Sequence, residues 1–368
     1  MLILSCMLEL TVKILSLFAA VILVFSLSCS NDDEVEIPSA DSTQKKERTI
    51  IACYGPNALG DLTYGDSISL ALNKTAVKHG LTFIEYMPSD RDKADECAKK
   101  LISETEVSDS DILYVFCDSS YRTVLEELSA LIDKNNKQIL LIDSREVDAS
   151  QNIHTVCFSF YGMAYEAGVL ANELIPDSGY VGILIGDQTN SFLQDAVTAF
   201  KEGLRNYSGA IVEQPLNEFI GSDTGAGYNS ELLLYGAYTA FKNFMEIFVP
   251  KMILPLCGGS IHGIFRFNRD WGEDSPYTIG IDRDMSAYTN RVPYSLVKHF
   301  DKGLEQCVQQ WINGSLPHHQ RLGLAQGFTE LVISPGYQEK LQKELDDIHK
   351  TAIEREEAYE KENYEADK

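Results

Sequence analysis

From Ile50 onward the chain alternates short, nearly solid apolar runs with longer stretches whose apolar residues recur every three or four positions. Ile50–Cys53, Thr82–Tyr86, Ile112–Phe116 and Ile139–Ile142 are the first runs, with amphipathic segments over 67–79, 92–103 and 120–134 between them. A run that is apolar at every position, rather than every second one, is what a strand looks like when helices cover both faces of its sheet. The pattern predicts four parallel strands and a further one at His154–Phe160, near which the chain crosses into a second unit. There the alternation resumes. Strands are expected at Tyr180–Ile185, Ala210–Gln214, Met252–Leu256 and Tyr277–Ile281, with helices over 163–174, 191–206, 228–246 and 260–268. Two consecutive α/β units predict two lobes with a cleft between them, and there is no short-period repeat.

Toward the C-terminus, Pro293–Asn313 reads as one long helix, broken at Gly314–Pro317, and Arg321–Ser334 as one or two strands. Leu341, Leu345, Ile348 and Ala352 then share one helical stripe. That is a helix packed on a lobe, fraying into an acidic tail, Glu354–Lys368. The expected division is 48–157 with 287–315 as the first lobe, and 158–286 with 316–368 as the second.

The N-terminus breaks this pattern. Lys13 precedes an almost unbroken apolar run, Ile14–Leu27, followed by Ser28 and Cys29. The run falls short of the ~20 residues a spanning helix needs. Apolar core, small residue, then cysteine reads as a secretory signal over 1–28 ending at a lipid-modified Cys29. Ser30–Glu34 resembles the acidic tag of surface lipoproteins of the Bacteroidetes, and 29–47 reads as a flexible tether. The expected location is therefore the envelope of a Gram-negative bacterium, on the periplasmic face or the outer surface.

Composition narrows the partners. At 368 residues, 44% hydrophobic and 23% charged, this is an ordinary globular chain with a formal net charge of −24. That charge argues against nucleic acid or an anionic membrane surface. Of the eight cysteines, Cys53, Cys97, Cys117, Cys157, Cys257 and Cys307 are widely spaced with no C-x-x-C, so metal ligation is not expected. Buried free thiols are the default, with a Cys53–Cys117 disulfide as the alternative, since both end strands expected to be neighbours. No phosphate loop, dinucleotide fingerprint or metal-binding histidine spacing occurs, and no cofactor is expected.

Candidate chemistry clusters where strands end, the position at which open α/β sheets hold ligands. After Ile50–Cys53 comes a long loop with Asp61, Thr63 and Tyr64, a carboxylate, a hydroxyl and a ring suited to a ligand with hydroxyls and a flat face. Asp118, just past the third strand, joins this set. Met252–Leu256 runs into Cys257-Gly258-Gly259-Ser260, whose glycines allow close approach to the backbone and whose amides can hold an oxygen. Ser260 with His262 does not make a hydrolase, because the G-x-S-x-G elbow is absent. Tyr277–Asp284 ends a strand in acidic residues, and Asp282 and Lys298 either pair or both reach ligand hydroxyls.

These landmarks resemble the basic membrane lipoprotein (BMP) family, the PnrA-like purine nucleoside receptors of ABC transporters. Asp61–Gly65 is similar to its D-x-S-F-N loop, Ile139–Asp143 to its I-I-D strand end, and Tyr165–Ala171 to its L-A-G-x-L-A helix. Phe200–Leu204 resembles F-x-x-G-F, Cys257–Ser260 resembles A-G-G-T, Ile279–Asp284 resembles I-G-V-D-x-D, and Tyr294–Asp301 resembles the T-S-x-x-K-R-V-D helix. The likeness runs over about 49–335. It implies a type I periplasmic-binding-protein fold, two Rossmann-like lobes with parallel sheets joined by a three-crossover hinge. It also implies that Tyr64 stacks on a base and Asp61 lines the base pocket. Gly258 and Gly259 would line the ribose end, and Asp282, with Lys298 beside it, would accept from ribose hydroxyls. Gly65 departs from the family's Asn, and Gly221-Ser222-Asp223 stands where a second stacking ring is usual, with Tyr228 as the nearby substitute.

The expected function is capture of a small polar ligand, a nucleoside first, for uptake by an ABC transporter, without catalysis. A sugar or other polyol is the alternative within the binding class. A surface interaction protein that has lost its ligand is the alternative outside it.

Overall fold

The computed structural model describes residues 48–56, 58–103, 111–175, 178–215 and 241–364. Cys29, the N-terminal signal and tether, Gly221–Asp223 and Tyr228 lie outside the described residues.

The first sheet has six strands in the order β12-β5-β4-β3-β1-β2. They are β1 Thr49–Cys53, β2 Thr82–Tyr86, β3 Ile112–Phe116, β4 Gln138–Ile142, β5 Ile153–Phe158 and β12 His319–Leu322. Every pairing is parallel. Successive side chains on a strand point to opposite faces, so the solid apolar runs feed two cores. Leu113, Val115, Leu140 and Ile142 pack with helices α1 (Tyr64–His79) and α8 (Phe300–Ile312). Tyr114, Phe116, Ile139 and Leu141 face α2 (Arg91–Ser103), α3 (Arg122–Glu127) and α4 (Ser129–Lys134). The amphipathic stretch 120–134 is thus two short helices rather than one.

The second lobe pairs β7 (Ala210–Pro215), β6 (Tyr180–Ile185), β8 (Pro250–Leu256) and β9 (Tyr277–Thr278) in that order. Ile279, whose N–H donates to Ile253 carbonyl at 3.0 Å, carries the sheet on into β10 (Gly280–Asp282). There β10 pairs in parallel with β11 (Tyr294–Lys298), which pairs antiparallel with β13 (Thr329–Ile333). Helices α5 (Tyr161–Leu174), α6 (Ser191–Gly203), α7 (Ile261–Trp271) and α9 (Gln338–Tyr364) surround this sheet, together with helical residues 241–248.

The chain passes between the sheets after β5, between β11 and α8, and between β12 and β13. This corrects the expected division. Residues 294–298 are a strand of the second lobe, not the start of a helix in the first, and 319–322 form the edge strand of the first lobe. Tyr-Ser-Leu-Val-Lys is buried at every position. A short, fully buried run has no period to separate strand from helix, and only its sheet partners decide.

The strand-end cysteines Cys53 and Cys117 are buried free thiols, the default reading, and not the alternative disulfide. Cys117 N–H donates to the Cys53 carbonyl at 2.9 Å, yet both thiols are free. Cys53 is in register with Phe116, so Cys117 lies one residue farther along and points to the opposite face of the sheet.

Candidate ligand site between the lobes

The loop after β1 is organised by Asp61. Its buried carboxylate accepts from the N–H groups of Thr63 (2.8 Å), Gly65 (2.8 Å) and Asp66 (3.1 Å) and from the Thr63 hydroxyl (3.0 Å). It satisfies the open amides at the start of α1, as an acidic cap does. Asp66 in turn accepts from Gly60 N–H at 2.7 Å and Leu62 N–H at 2.8 Å. Thr63 is wholly buried, with its hydroxyl on Asp61. Asp61 and Thr63 therefore shape the loop, and their side-chain polar atoms are engaged within it.

Tyr64 is the residue of this loop that turns toward the other candidates. Its ring meets Phe300 edge-on at 5.3 Å, and the Lys298 ammonium lies 5.3 Å from its centroid. Burial, with the charges of Asp143 and Asp118, raises its phenol well above the ordinary range. Asp118 caps the turn after β3 through Ser120 N–H at 2.8 Å. Gly55 makes room for it, since a Cβ there would sit 2.8 Å from its carboxylate oxygen. Gly258 and Gly259 form a buried turn between β8 and α7, and Gly258 has φ +50°.

Lys298 is the centre of the site. Its ammonium donates to Asp143 at 2.6 Å and lies 3.9 Å from Asp282, with its side chain only 4% exposed. Phe160, at 4.6 Å to the ring centroid, and Phe300, at 5.8 Å, complete an aromatic cage with Tyr64. Burial alone would lower the ammonium, but Asp143 and Asp282 hold it above its ordinary value. Burial pushes the Asp282 carboxyl up to about 6, opposed by Lys298 and assisted by Asp143 and Asp61.

Asp143 follows the last residue of β4, in the first lobe, while Asp282 and Lys298 end strands of the second. Asp143 (φ +48°) and Asp282 (φ +64°) both adopt the left-handed backbone that turns a side chain off the end of its strand. The lobes also meet where His262 Nε2 reaches the Asp61 carbonyl (3.2 Å) and Arg283 the Leu62 carbonyl (3.5 Å).

The structure thus brings together Tyr64, Asp282 and Lys298, and adds Asp143, Phe160 and Phe300, which were outside the candidate set. Asp143 was legible as a strand-end acid of the same kind as Asp282. Phe300 was hidden inside the expected helix. Apart from the cleft, donor atoms of Glu146, Asp148 and His318 lie within 4.8 Å of one another, a grouping of metal-ligand type on the loops after β4 and before β12.

No family model and no curated protein sequence matches the chain. Solved structures do. An ABC transporter system solute-binding protein from Aeropyrum pernix superposes with a TM-score of 0.65 at 14% identity, covering 86% of both chains. A transcriptional activator of the comK gene from Bacillus halodurans gives 0.62 at 15% identity, over 83% of this chain and 97% of that one. A periplasmic solute-binding protein of an ABC transporter from Actinobacillus succinogenes, with bound D-allose, gives 0.61 at 12%, over 79% and 100%. At such identities the likeness concerns architecture alone. The chain has the type I periplasmic-binding-protein fold.

Proposed function

We propose that this protein captures a small polyhydroxylated solute between its lobes for delivery to an ABC transporter, and is not an enzyme. The observation that carries this reading is the buried Lys298, bridging Asp143 of the first lobe and Asp282 of the second at the carboxyl ends of their strands. Buried ionic groups recover their desolvation cost only when well paired. Asp282, beyond hydrogen-bond reach of Lys298 at 3.9 Å, has acceptor capacity for ligand hydroxyls.

In the finer reading the ligand is a nucleoside. Its ribose hydroxyls donate to Asp282 beside Lys298 and Gly258–Gly259, and its base lies toward Tyr64. The second reading is a sugar or polyol. It is favoured by the engagement of Asp61 in the helix start, which removes a base-reading group, and by the D-allose in the Actinobacillus succinogenes protein. Cys29 would carry the lipid that anchors the protein at the membrane, outside the cytoplasm.

A thermal-shift panel of nucleosides, free bases and sugars, with mass spectrometry of small molecules released from the purified protein, tests the proposal. A ligand at a hundredfold excess over Kd stabilises by about 2.7 kcal/mol. A shift with nucleosides, and little with bases or ribose, supports the finer reading. Shifts with hexoses and none with nucleosides support the second. No shift and no released solute would sink both and leave the surface interaction protein. For the anchor, Cys29→Ala should move the protein from the detergent phase to the soluble fraction.

A further inference from the structure

Cys53 ends β1 directly ahead of the loop that carries Tyr64, and Cys97 lies on the inner side of α2, which packs on the same face of the first sheet. The Cys53 thiol points at the Cys97 sulfur, and the two Sγ atoms are 3.7 Å apart. A disulfide requires about 2.05 Å, so the sulfurs must close by roughly 1.6 Å. Cys53 is buried, but Cys97 is partly exposed, so a reagent in solution has a point of entry. The remaining buried thiols have other surroundings: Cys117 faces the opposite core, and its thiol contacts the Val115 carbonyl at 3.7 Å.

We propose that Cys53 and Cys97 are an oxidisable pair that forms a disulfide by exchange with a disulfide-bearing oxidant. Cys97, as thiolate, attacks one sulfur of the oxidant. Its S–S bond breaks, and one thiolate leaves. Cys53 then attacks Cys97 Sγ in the mixed disulfide, its proton passing to the departing second thiolate. Two cysteine thiols become one disulfide, and the oxidant is reduced to two thiols. The hydrogen bond from Cys53, with the Lys100 ammonium, holds the Cys97 thiol below the ordinary thiol range, which favours it as the attacking group. The cross-link would tie α2 to the strand that feeds the ligand loop. Cys53 Sγ already lies 3.3 Å from the Tyr121 hydroxyl, which donates to the Tyr54 carbonyl at 2.7 Å.

The test is to incubate the folded, full-length protein with oxidised glutathione, quench with acid, denature, alkylate and map peptides by mass spectrometry. The expected product is a Cys53 peptide joined to a Cys97 peptide, two hydrogens lighter than their sum. Cys97→Ser should leave Cys53 alkylatable, and Cys53→Ala should trap glutathione on Cys97. Should Cys53→Ala fail to fold, the wild type with Cys97→Ser, altered at a partly exposed position, suffices. Full alkylation of both cysteines in the oxidised wild type, or Cys53 joined to Cys117, would overturn the proposal.

Discussion

Asp282 bears a charge that its surroundings resist. Its folded pKa is raised from 3.8 to about 6, chiefly by burial. A raised carboxyl pKa means that the neutral form favours folding. That contribution is complete below the unfolded value and is lost as pH climbs through about 6. The rise from 3.8 to about 6 corresponds to roughly 3 kcal/mol. Asp282→Asn lacks this loss. Urea melts of the ligand-free protein should therefore show the variant gaining roughly 2–3 kcal/mol on the wild type as pH rises from about 4 to 7. A difference constant across that window would show an ordinary carboxyl. The same variant should bind ligand roughly ten- to several-hundred-fold more weakly if Asp282 accepts hydroxyl protons. Gly65 makes a second residue-scale case. A Cβ at this position would lie 2.2 Å from the Ala58 carbonyl oxygen. Gly65→Asn, which introduces the Asn of the BMP pattern, should cost about 1–3 kcal/mol of stability and add no nucleoside affinity. Stronger nucleoside binding at undiminished stability would contradict this packing.

At the scale of elements, two of the stretches that resemble BMP motifs contact each other. Gly168 on α5 and Gly203 on α6 lie where the helices touch, and a Cβ on either would come within 2.3 Å of the other helix's backbone. Glycine is needed there for close approach, so these motifs record packing. Helix α9 supplies a second tie. The buried Glu356 carboxylate accepts from Gly162 N–H at 2.7 Å, at the start of α5, and from Leu324 N–H at 2.8 Å, in the turn after β12. An unmet buried amide costs about 1–3 kcal/mol. Glu356→Ala should accordingly lower unfolding free energy by roughly 2–4 kcal/mol in denaturant titrations. A loss under about 0.5 kcal/mol would mean that water replaces the carboxylate.

Over the whole molecule, α9 does more than cover one lobe. Instead of fraying from Glu354 it stays helical to Tyr364, because its last turns have partners. Glu360 pairs with Arg321 of the first lobe at 2.8 Å, and the Tyr364 ring lies under the guanidinium groups of Arg321 (3.7 Å) and Arg145 (4.5 Å). The Tyr364 hydroxyl, meanwhile, bonds to Asp195 on α6 of the second lobe. The helix end thus spans both lobes beside the crossovers. Removing Glu360 and Tyr364 together, as a double alanine variant, should leave each lobe's core intact. It should widen the unliganded protein, read as an increased radius of gyration in solution scattering, with ligand restoring the wild-type value. An unchanged radius would show that the crossovers alone set the opening.

Alternating solid apolar runs and amphipathic stretches were sufficient for the α/β class, most of the strands and the position of candidate chemistry at strand ends. These features follow from local periodicity and from which side chains avoid water. What periodicity could not reach was partnership. Tyr294–Lys298 and His319–Leu322 acquired their lobes from hydrogen-bonded neighbours distant in sequence. Asp61 and Asp282, both acids in loops or at strand ends, diverged only in space: one met the open amides of α1, the other a buried ammonium. Lys298 itself had Asp282 as a possible partner in sequence, while its closer partner, Asp143, comes from the other lobe. The local pattern of residue types decides which elements form. A residue's role depends on which donors and charges the folded chain brings within about 3–4 Å, where these interactions are strong.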